Sequence, residues 1–199
     1  QAGYGMETVK EETTDDADAV LMLRLKTGDT EAFDRLFERH ARAVVNFTYR
    51  FVRNRAIAED LAQEVFLRVY ESASSYEVKA RFTTWLYRIA TNVCLNELRR
   101  PHSRLERNCG ESPWMLGEGI RAPDSLERVE VAHALRGALA QLPEKQRIAF
   151  ILNKYQELSY AEVAEVMRIS DKAVKSLIHR AKETLARKLA PLLSECTNI

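Results

Sequence analysis

Apolar residues recur at helical spacing along residues 20–100, and no run alternates between apolar and polar residues as a β-strand would. Residues 19–26 predict a short helix that is closed by Gly28. Asp29 or Thr30 then stands where an N-cap is needed for the next helix. The first half of the chain is therefore expected to be helical.

Two later segments of this half carry a polar side as well as an apolar one. In IAEDLAQEVFLRVY the apolar stripe consists of Ile57, Leu61, Val65 and Val69. The polar face of the same segment consists of Asp60, Gln63 and Glu64. A last helix over residues 81–100 buries an apolar stripe, and its other side carries Trp85, Arg88, Asn92, Asn96 and Arg99.

The C-terminal half contains two helix starts in close succession. In LSYAEVAEVMRIS, Ser159 and Glu162 have the spacing of a capping box. Ser170 is placed to cap the following helix, with Asp171 near its positive end. A short helix, a tight turn and a second helix predict a helix-turn-helix.

The second helix of such a unit lies in the DNA major groove, where residues near its N-terminus reach base edges. Val174 and Ile178 mark its apolar side in RISDKAVKSLIHRAK. A charged face is often merely solvated, but here the context favours DNA for Lys175 and Arg180, whereas His179 either packs or donates to a phosphate. The full outward set is Lys172, Lys175, Ser176, His179, Arg180 and Lys182.

The composition between the two helical parts is different. Three of the seven glycines and three of the five prolines fall within residues 101–123, which predicts a linker. The expected fold is all-α, with two small helical domains joined by a flexible linker. The predicted divisions are an acidic, disordered N-terminus (1–19), a first domain (20–100), the linker (101–125) and a second domain with the helix-turn-helix (126–199).

Charge and cysteine content narrow the function. The net charge of +1 conceals an acidic start and two basic domains, as fourteen Lys and Arg face ten acids in residues 20–100 and twelve face eight in residues 126–190. Basic domains suit a polyanion. Three scattered cysteines support neither a disulfide framework nor a zinc site, and no apolar run has the length of a membrane helix. A cytoplasmic protein without metal or cofactor is expected.

These motifs resemble, in order, those of the extracytoplasmic-function sigma factors, which direct bacterial RNA polymerase to promoters. The resemblance covers residues 20–189. It rests on LRLKTGDTEAFDRLFERH, AEDLAQEVFLRVY, RFTTWLYRIATNVCLNELRR, LPEKQRIAFIL and LSYAEVAEVMRISDKAVKSLIHRAK.

The resemblance implies roles for particular residues. Asp60, Gln63 and Glu64 would dock on the clamp helices of the polymerase. Trp85 either contacts unpaired bases of the minus-ten element or belongs to the core, and the loop SASSYEVK would hold an extruded base. The minus-ten set is Trp85, Arg88, Asn92, Asn96, Arg99 and Arg100. The minus-thirty-five set is the outward face of the helix-turn-helix.

The resemblance also implies partners and two departures. The partners are the polymerase core, promoter DNA and an anti-sigma factor, while the linker would thread through the polymerase cleft. Arg168 stands where relatives often have Gly in the turn, which predicts a differently shaped turn. Leu177 stands where relatives often have Arg, and it is expected to extend the core.

Two other classes of function are weighed against this one. An enzyme needs convergent catalytic or metal-binding groups, and the four histidines are scattered. A transcription regulator of the LuxR type would bind an operator through the same helix-turn-helix without joining the polymerase. Such a regulator usually carries a sensor or receiver domain, whereas the first domain here has a helical and basic pattern.

Overall fold

The computed structural model describes residues 14–100 and 126–195, and its regular elements in these two stretches are all helical. None of the described helices is long and apolar enough to span a membrane. The first domain contains α1 (Thr14–Lys26), α2 (Thr30–Val52), α3 (Arg55–Glu71), a 3-10 helix (Ala73–Ser75) and α4 (Phe82–Leu98). The second contains α5 (Leu126–Ala140), α6 (Glu144–Tyr155), α7 (Tyr160–Met167) and α8 (Asp171–Glu195). The predicted all-α fold is confirmed.

The caps read from the sequence determine where the helices begin. Asp29 accepts a hydrogen bond from the backbone N–H of Ala32 at 3.3 Å, so it is the N-cap of α2. Ser159 and Glu162 form both bonds of the capping box, at 2.8 and 3.3 Å. The Ser170 hydroxyl accepts a hydrogen bond from the backbone N–H of Ala173 at 3.3 Å, so α8 starts as predicted.

The core of the first domain follows the apolar stripes. All four residues of the α3 stripe are buried, and in α4 Phe82, Leu86 and Val93 are fully enclosed. Phe47 of α2 packs at the centre, between Phe51 and an aromatic ring of α4. Burying such large side chains supplies most of the driving force for this bundle.

The start of α1 differs from the prediction. The helix begins at Thr14, so residues 14–19 are helical, although they were assigned to an acidic, disordered segment. Asp18 is fully buried, forms an ion pair with Arg39 and is hydrogen-bonded to the imidazole of His40 at 2.7 Å. These paired partners make the burial of an acid tolerable, and composition alone could not reveal them. The remainder of that segment lies outside the described residues.

The two helical domains are in contact with each other, which the sequence did not predict. Helix α4 lies against α7, α2 approaches α6, and one hydrophobic cluster continues from the first domain into the second. A smaller cluster, centred on Leu139 and Leu185, belongs to the second domain alone. The predicted linker, and with it the predicted path through the polymerase cleft, lies outside the described residues.

Two reciprocal contacts join the domains. The guanidinium of Arg50, in the first domain, lies 4.1 Å from the ring centroid of Tyr155 in the second. The guanidinium of Arg147, in the second domain, lies 5.6 Å from the ring of Phe51 in the first. Burial lowers the pKa of both arginines. Partly desolvated cation–π contacts of this kind are stronger than exposed ones.

Candidate nucleic-acid interface

The polar side of α4 forms a continuous stripe, as the helical spacing predicts. Asn92 and Asn96 are exposed, Arg88 is partly exposed, and Arg99 and Arg100 are exposed at the C-terminal end of the helix. Arg99 donates to Glu144 of α6 at 3.4 Å, whereas Arg100 donates to the buried Glu97 at 2.8 Å. The predicted minus-ten residues therefore share one surface.

Trp85, for which the sequence left a core role and a base-contacting role open, packs against the core and also lines a cavity. Its ring is half-buried and lies 5.9 Å from Phe82 of the core and 5.1 Å from Tyr76, which it meets edge to face. It also lines a cavity of about 350 Å³. Trp85 is thus both part of the packing and part of a cavity wall.

The cavity lies beside the 3-10 helix, within the loop that was predicted to hold a base. Its wall combines hydroxyl groups, an aromatic pair, two cations and two carboxylates. The lining residues are Ser72, Ser75, Tyr76, Glu77, Lys79, Ala80, Trp85, Arg88 and Glu165. A flat base could stack on the aromatic wall while its phosphate meets the cations.

Glu165 and its neighbour Glu162 come from the second domain, and the sequence did not place them here. Glu162 accepts from Arg81 at 3.4 Å and from Thr84 at 3.3 Å, in addition to its capping bond. Thr84 is 1% exposed because α7 covers it. A capping box signals only a helix start, so Glu162 carried no signal for this second contact.

The electrostatic state of Glu162 reflects these neighbours. Burial alone would raise the pKa of its carboxyl. The hydrogen bonds from Ser159 and Thr84 and the charge of Arg81 outweigh that effect, so its pKa lies below the usual value. Glu162 is consequently a carboxylate at neutral pH.

The acidic face of α3 lies on the surface. Asp60 and Gln63 are exposed, and Glu64 is partly exposed and pairs with Arg68 at 2.6 Å, one turn along the helix. The opposite stripe of α3 is buried in the core. The three predicted polymerase-binding residues therefore lie together, as expected for one docking face.

The outward face of α8 is open to solvent. Its described cations and hydroxyl are exposed, while Val174, Ile178 and Ala181 are buried on the other side. Lys175 lies 6.0 Å from the ring of Tyr160, and His179 lies 3.4 Å from Glu183. The exposed set is Lys172, Lys175, Ser176, His179, Arg180 and Lys182.

The turn before α8 keeps its left-handed shape without glycine. Arg168 adopts φ 54° and ψ 48°, and its backbone N–H closes α7. The prediction of a differently shaped turn is therefore wrong, because Arg168 accepts the strained conformation instead. Leu177 is partly buried against the core, as expected.

No group of three or more His, Cys, Asp or Glu side chains is arranged to hold a metal ion within residues 14–100 and 126–195. Cys94 is buried in the core, and burial raises the pKa of its thiol strongly. A buried, protonated thiol is unreactive.

Comparison with known proteins assigns both domains. Residues 36–104 match the family model of Sigma-70 region 2, and residues 132–185 match that of Sigma-70 region 4. The first match contains the acidic face of α3 and the stripe of α4, and the second contains the helix-turn-helix.

Curated relatives match over most of their length. The ECF RNA polymerase sigma factor SigW of Bacillus subtilis is 30% identical over 85% of this chain and 95% of its own. The RNA polymerase sigma-H factor of Pseudomonas aeruginosa is 33% identical over 92% of this chain and 98% of its own. The ECF RNA polymerase sigma-E factor of Escherichia coli is 33% identical over 88% of this chain and 96% of its own.

Solved structures have the same fold. CnrH in complex with the cytosolic domain of CnrY matches with a TM-score of 0.67 and 25% identity, over 88% of this chain and 99% of CnrH. The sigma factor RpoE of Bartonella quintana, in complex with the anti-sigma factor NepR, matches with a TM-score of 0.63 and 22% identity. The match covers 79% of this chain and 96% of the other. Two region matches in order, together with relatives aligned along nearly their whole length, lead to one conclusion: the chain belongs to the extracytoplasmic-function family of RNA polymerase sigma factors.

Proposed function

We propose a division of tasks between the two domains of this sigma factor, which binds the RNA polymerase core and directs promoter-specific initiation of transcription. The first domain binds the core and the minus-ten element, and the second binds the minus-thirty-five element. The observation that carries this division is the presence of two separate DNA-suited surfaces, the α4 stripe with its cavity and the exposed face of α8.

The acidic face of α3 is the proposed contact with the polymerase core. Asp60, Gln63 and Glu64 are grouped on one exposed side of a helix whose other side is held rigidly in the core. The buried stripe fixes the helix backbone, so Asp60 and Glu64 are presented one helical turn apart on the same side. Charge complementarity also accelerates the encounter between the two surfaces.

The α4 stripe is the proposed reader of the melted minus-ten strand. Trp85 offers a stacking surface at the cavity, and Arg88 supplies a cation beside it. Asn92 and Asn96 are exposed along the helix and can meet the polar edges of unpaired bases. Arg99 and Arg100 complete the site as phosphate contacts at the end of the helix.

The exposed face of α8 is the proposed reader of the minus-thirty-five element. Lys172, Lys175 and Ser176 lie in the first two turns, which is the part of a recognition helix that reaches base edges. His179, Arg180 and Lys182 follow further along the same helix, where phosphates of the groove wall are within reach.

We also propose that the protein has no catalytic activity of its own, acts in the bacterial cytoplasm with the polymerase, and is held inactive by an anti-sigma factor. The family resemblance supports the last point, and RpoE of similar fold forms such a complex with NepR. The LuxR-type alternative is not favoured, because the first domain matches region 2 of sigma factors instead of a sensor.

Reconstituted transcription tests the proposed function. Purified core polymerase is incubated with the full chain on fragments of the host genome, and run-off products are mapped. Discrete start sites that require the chain are expected. Tight operator binding by the chain alone, with no association with core enzyme, would contradict the proposal. Recovery of no inhibitory partner from native cells would count against the anti-sigma factor.

A further inference from the structure

Helix α1 packs against the part of the first domain that carries the cavity. Its apolar residues Leu21, Met22 and Leu25 are buried, and the helix contacts α2, α4 and the 3-10 helix. The 3-10 helix and the first half of α4 supply walls of the cavity. None of the described residues of α1 lines it, but two polar side chains of α1, Asp18 and Lys26, contact residues that support these walls.

The contact of Lys26 fixes the backbone behind one aromatic wall of the cavity. Its ammonium nitrogen donates to the backbone carbonyl of Tyr76 at 2.8 Å, although the two residues are 50 positions apart in the sequence. Tyr76 is 3% exposed, and its ring meets that of Trp85 edge to face at 5.1 Å. A hydrogen bond from a charged donor is stronger than one between neutral groups. Lys26 therefore holds Tyr76 in the position from which it meets Trp85.

The contact of Asp18 supports the other aromatic wall through two further rings. One carboxylate oxygen of Asp18 pairs with Arg39, and the other lies 2.7 Å from Nε2 of His40. The imidazole of His40 lies 5.3 Å from the ring of Phe82, which lies 5.9 Å from that of Trp85. Buried and fully bonded polar groups of this kind hold their neighbours rigidly. Asp18 thereby fixes the imidazole against which the start of α4 packs.

The two elements beside the cavity start without a capping side chain. Ser72 and Arg81 are the N-caps of the 3-10 helix and of α4, and neither forms a capping bond with its side chain. By contrast, Asp29, Asn54 and Ser159 cap α2, α3 and α7. A helix start without a side-chain cap frays more easily. The positions of the cavity walls therefore depend on tertiary contacts, and α1 supplies two of them.

We propose that Lys26 and Asp18 are positioning residues for the strand-binding cavity, with α1 holding Tyr76 directly and Trp85 through the two rings between them. This inference rests on the proposed function, since it takes the cavity as the place where an unpaired base stacks. A stacking surface that is already ordered loses less conformational entropy when a base binds. Helix α1 therefore raises the affinity for the strand without touching it.

Two substitutions in the full chain test the positioning, each with a matched control on an exposed side of α2. Lys26→Met removes the ammonium group but keeps the length of the side chain, and its control, Arg35→Met, loses the same charge at another exposed position. Asp18→Asn keeps the size of the buried side chain, and its control is Asp34→Asn. Circular dichroism first checks that every variant keeps its helical content.

The first measurement reports on the cavity wall without DNA. Trp114→Phe is added to every variant, so that Trp85 is the only tryptophan in the chain. The constant for acrylamide quenching of Trp85 fluorescence is expected to rise about twofold in Lys26→Met relative to Arg35→Met, because a wall that is held less firmly opens more often. Asp18→Asn should change in the same direction relative to its own control.

The second measurement is the affinity of purified holoenzyme, core polymerase with the full chain, for a single strand. The probe is a labelled oligothymidylate of about twelve nucleotides, since stacking on aromatic rings tolerates any base. The Kd from fluorescence anisotropy is expected to rise about fivefold in Lys26→Met and in Asp18→Asn relative to their controls. Core polymerase alone gives the background.

Both measurements have to change for the positioning role to hold. Increased quenching with unchanged strand affinity would overturn it, because α1 would then be purely structural, and so would a change in affinity alone. If Asp18→Asn loses helical content, Lys26→Met, at an exposed position, decides the outcome. Failure of the proposed function has a different signature, since the unsubstituted chain then gives no run-off product with core polymerase.

Discussion

The carboxylate of Glu162 makes three kinds of contact at once. Its carboxylate caps α7 at Ser159, accepts from Thr84 and pairs with Arg81. The low pKa of its carboxyl follows from these combined contacts. Its charge therefore depends on both domains. Because folding lowers this pKa, the contribution of Glu162 to stability is fully present above the usual pKa of a glutamate and is lost as the pH falls through the lowered value.

Arg180 is the residue for which the DNA prediction is most specific. If its guanidinium neutralises one phosphate, Arg180→Ala weakens duplex binding and reduces the slope of log affinity against log salt by about one unit. The measurement is a salt titration of duplex affinity by fluorescence anisotropy. Arg35→Ala, an exposed arginine of the first domain, is the matched control and should keep the original slope. An unchanged slope in Arg180→Ala would remove the assignment.

The acidic face of α3 gives a second residue-scale prediction. Asp60→Ala combined with Glu64→Ala should raise the Kd for core polymerase by about tenfold or more, because two complementary charges are lost at once. Duplex DNA affinity should not change. Asp34→Ala with Glu38→Ala has the same helical spacing on exposed α2 and serves as the control. Equal core affinities for the two pairs would contradict the assignment of this face.

Individual side chains differ in how far the sequence could place them. The helical wheel correctly put Asn92 and Asn96 on one exposed side of α4. For Trp85 it gave two alternatives, because a residue at the edge of an apolar stripe meets both core and solvent. The structure shows its packing against the core and its place in a cavity wall, and its contact with bases stays a prediction. The DNA and polymerase roles of these residues are predictions until they are measured.

At the scale of elements, the turn between α7 and α8 depends on one strained residue. Arg168 has φ 54°, in the left-handed region that favours glycine. Its side chain is exposed, and its backbone N–H ends α7 by bonding to the carbonyls of Ala164 and Glu165. The helix-turn-helix is therefore built with a small energetic penalty at its turn.

Arg168→Gly should relieve that strain. The free energy of unfolding is expected to rise by about 0.5–1 kcal/mol, because the gain from relaxed φ exceeds the added entropy of glycine in the unfolded chain. Urea denaturation followed by circular dichroism measures the change. Lys154→Gly, inside α6, should be destabilising by about 1 kcal/mol and is the contrasting control. Destabilisation by Arg168→Gly would contradict the strain argument.

Helix starts were predictable where a polar side chain bonds to the local backbone. Asp29, Ser159 and Ser170 cap the helices that they precede, since the interaction spans only two or three residues. The start of α1 was not predictable, because Asp18 is stabilised by Arg39 and His40, more than twenty residues away. Local bonds are visible in a sequence, and distant pairs are not.

At the scale of the whole molecule, the two domains share a core and exchange arginine–aromatic contacts. Each domain contributes one arginine that meets an aromatic ring of the other. These contacts are Arg50 with Tyr155 and Arg147 with Phe51. Composition and helical spacing predicted two domains and their order, but not that they touch. Periodicity marks the apolar side of a helix, but it does not say which other helix that side meets.

A double-mutant cycle tests the contact between the two domains at Arg50 and Tyr155. Arg50→Met and Tyr155→Leu keep apolar bulk while removing the cation and the ring. Their coupling energy in urea unfolding is expected to be about 1 kcal/mol, as for a partly buried cation–π pair. A cycle between Arg50→Met and Tyr160→Leu, an exposed tyrosine of α7 whose ring lies near Lys175 instead, should be additive. Zero coupling in the first cycle would argue against the contact.

Glu162 both caps α7 and contacts the first domain, which has a consequence for any movement of one domain against the other. When Arg81 and Thr84 withdraw, the bonds between Glu162 and Ser159 still secure the first turn of α7. Separation then needs no helix to melt and re-form. The capping box belongs to the second domain alone, so a movement of one domain against the other leaves the start of α7 intact.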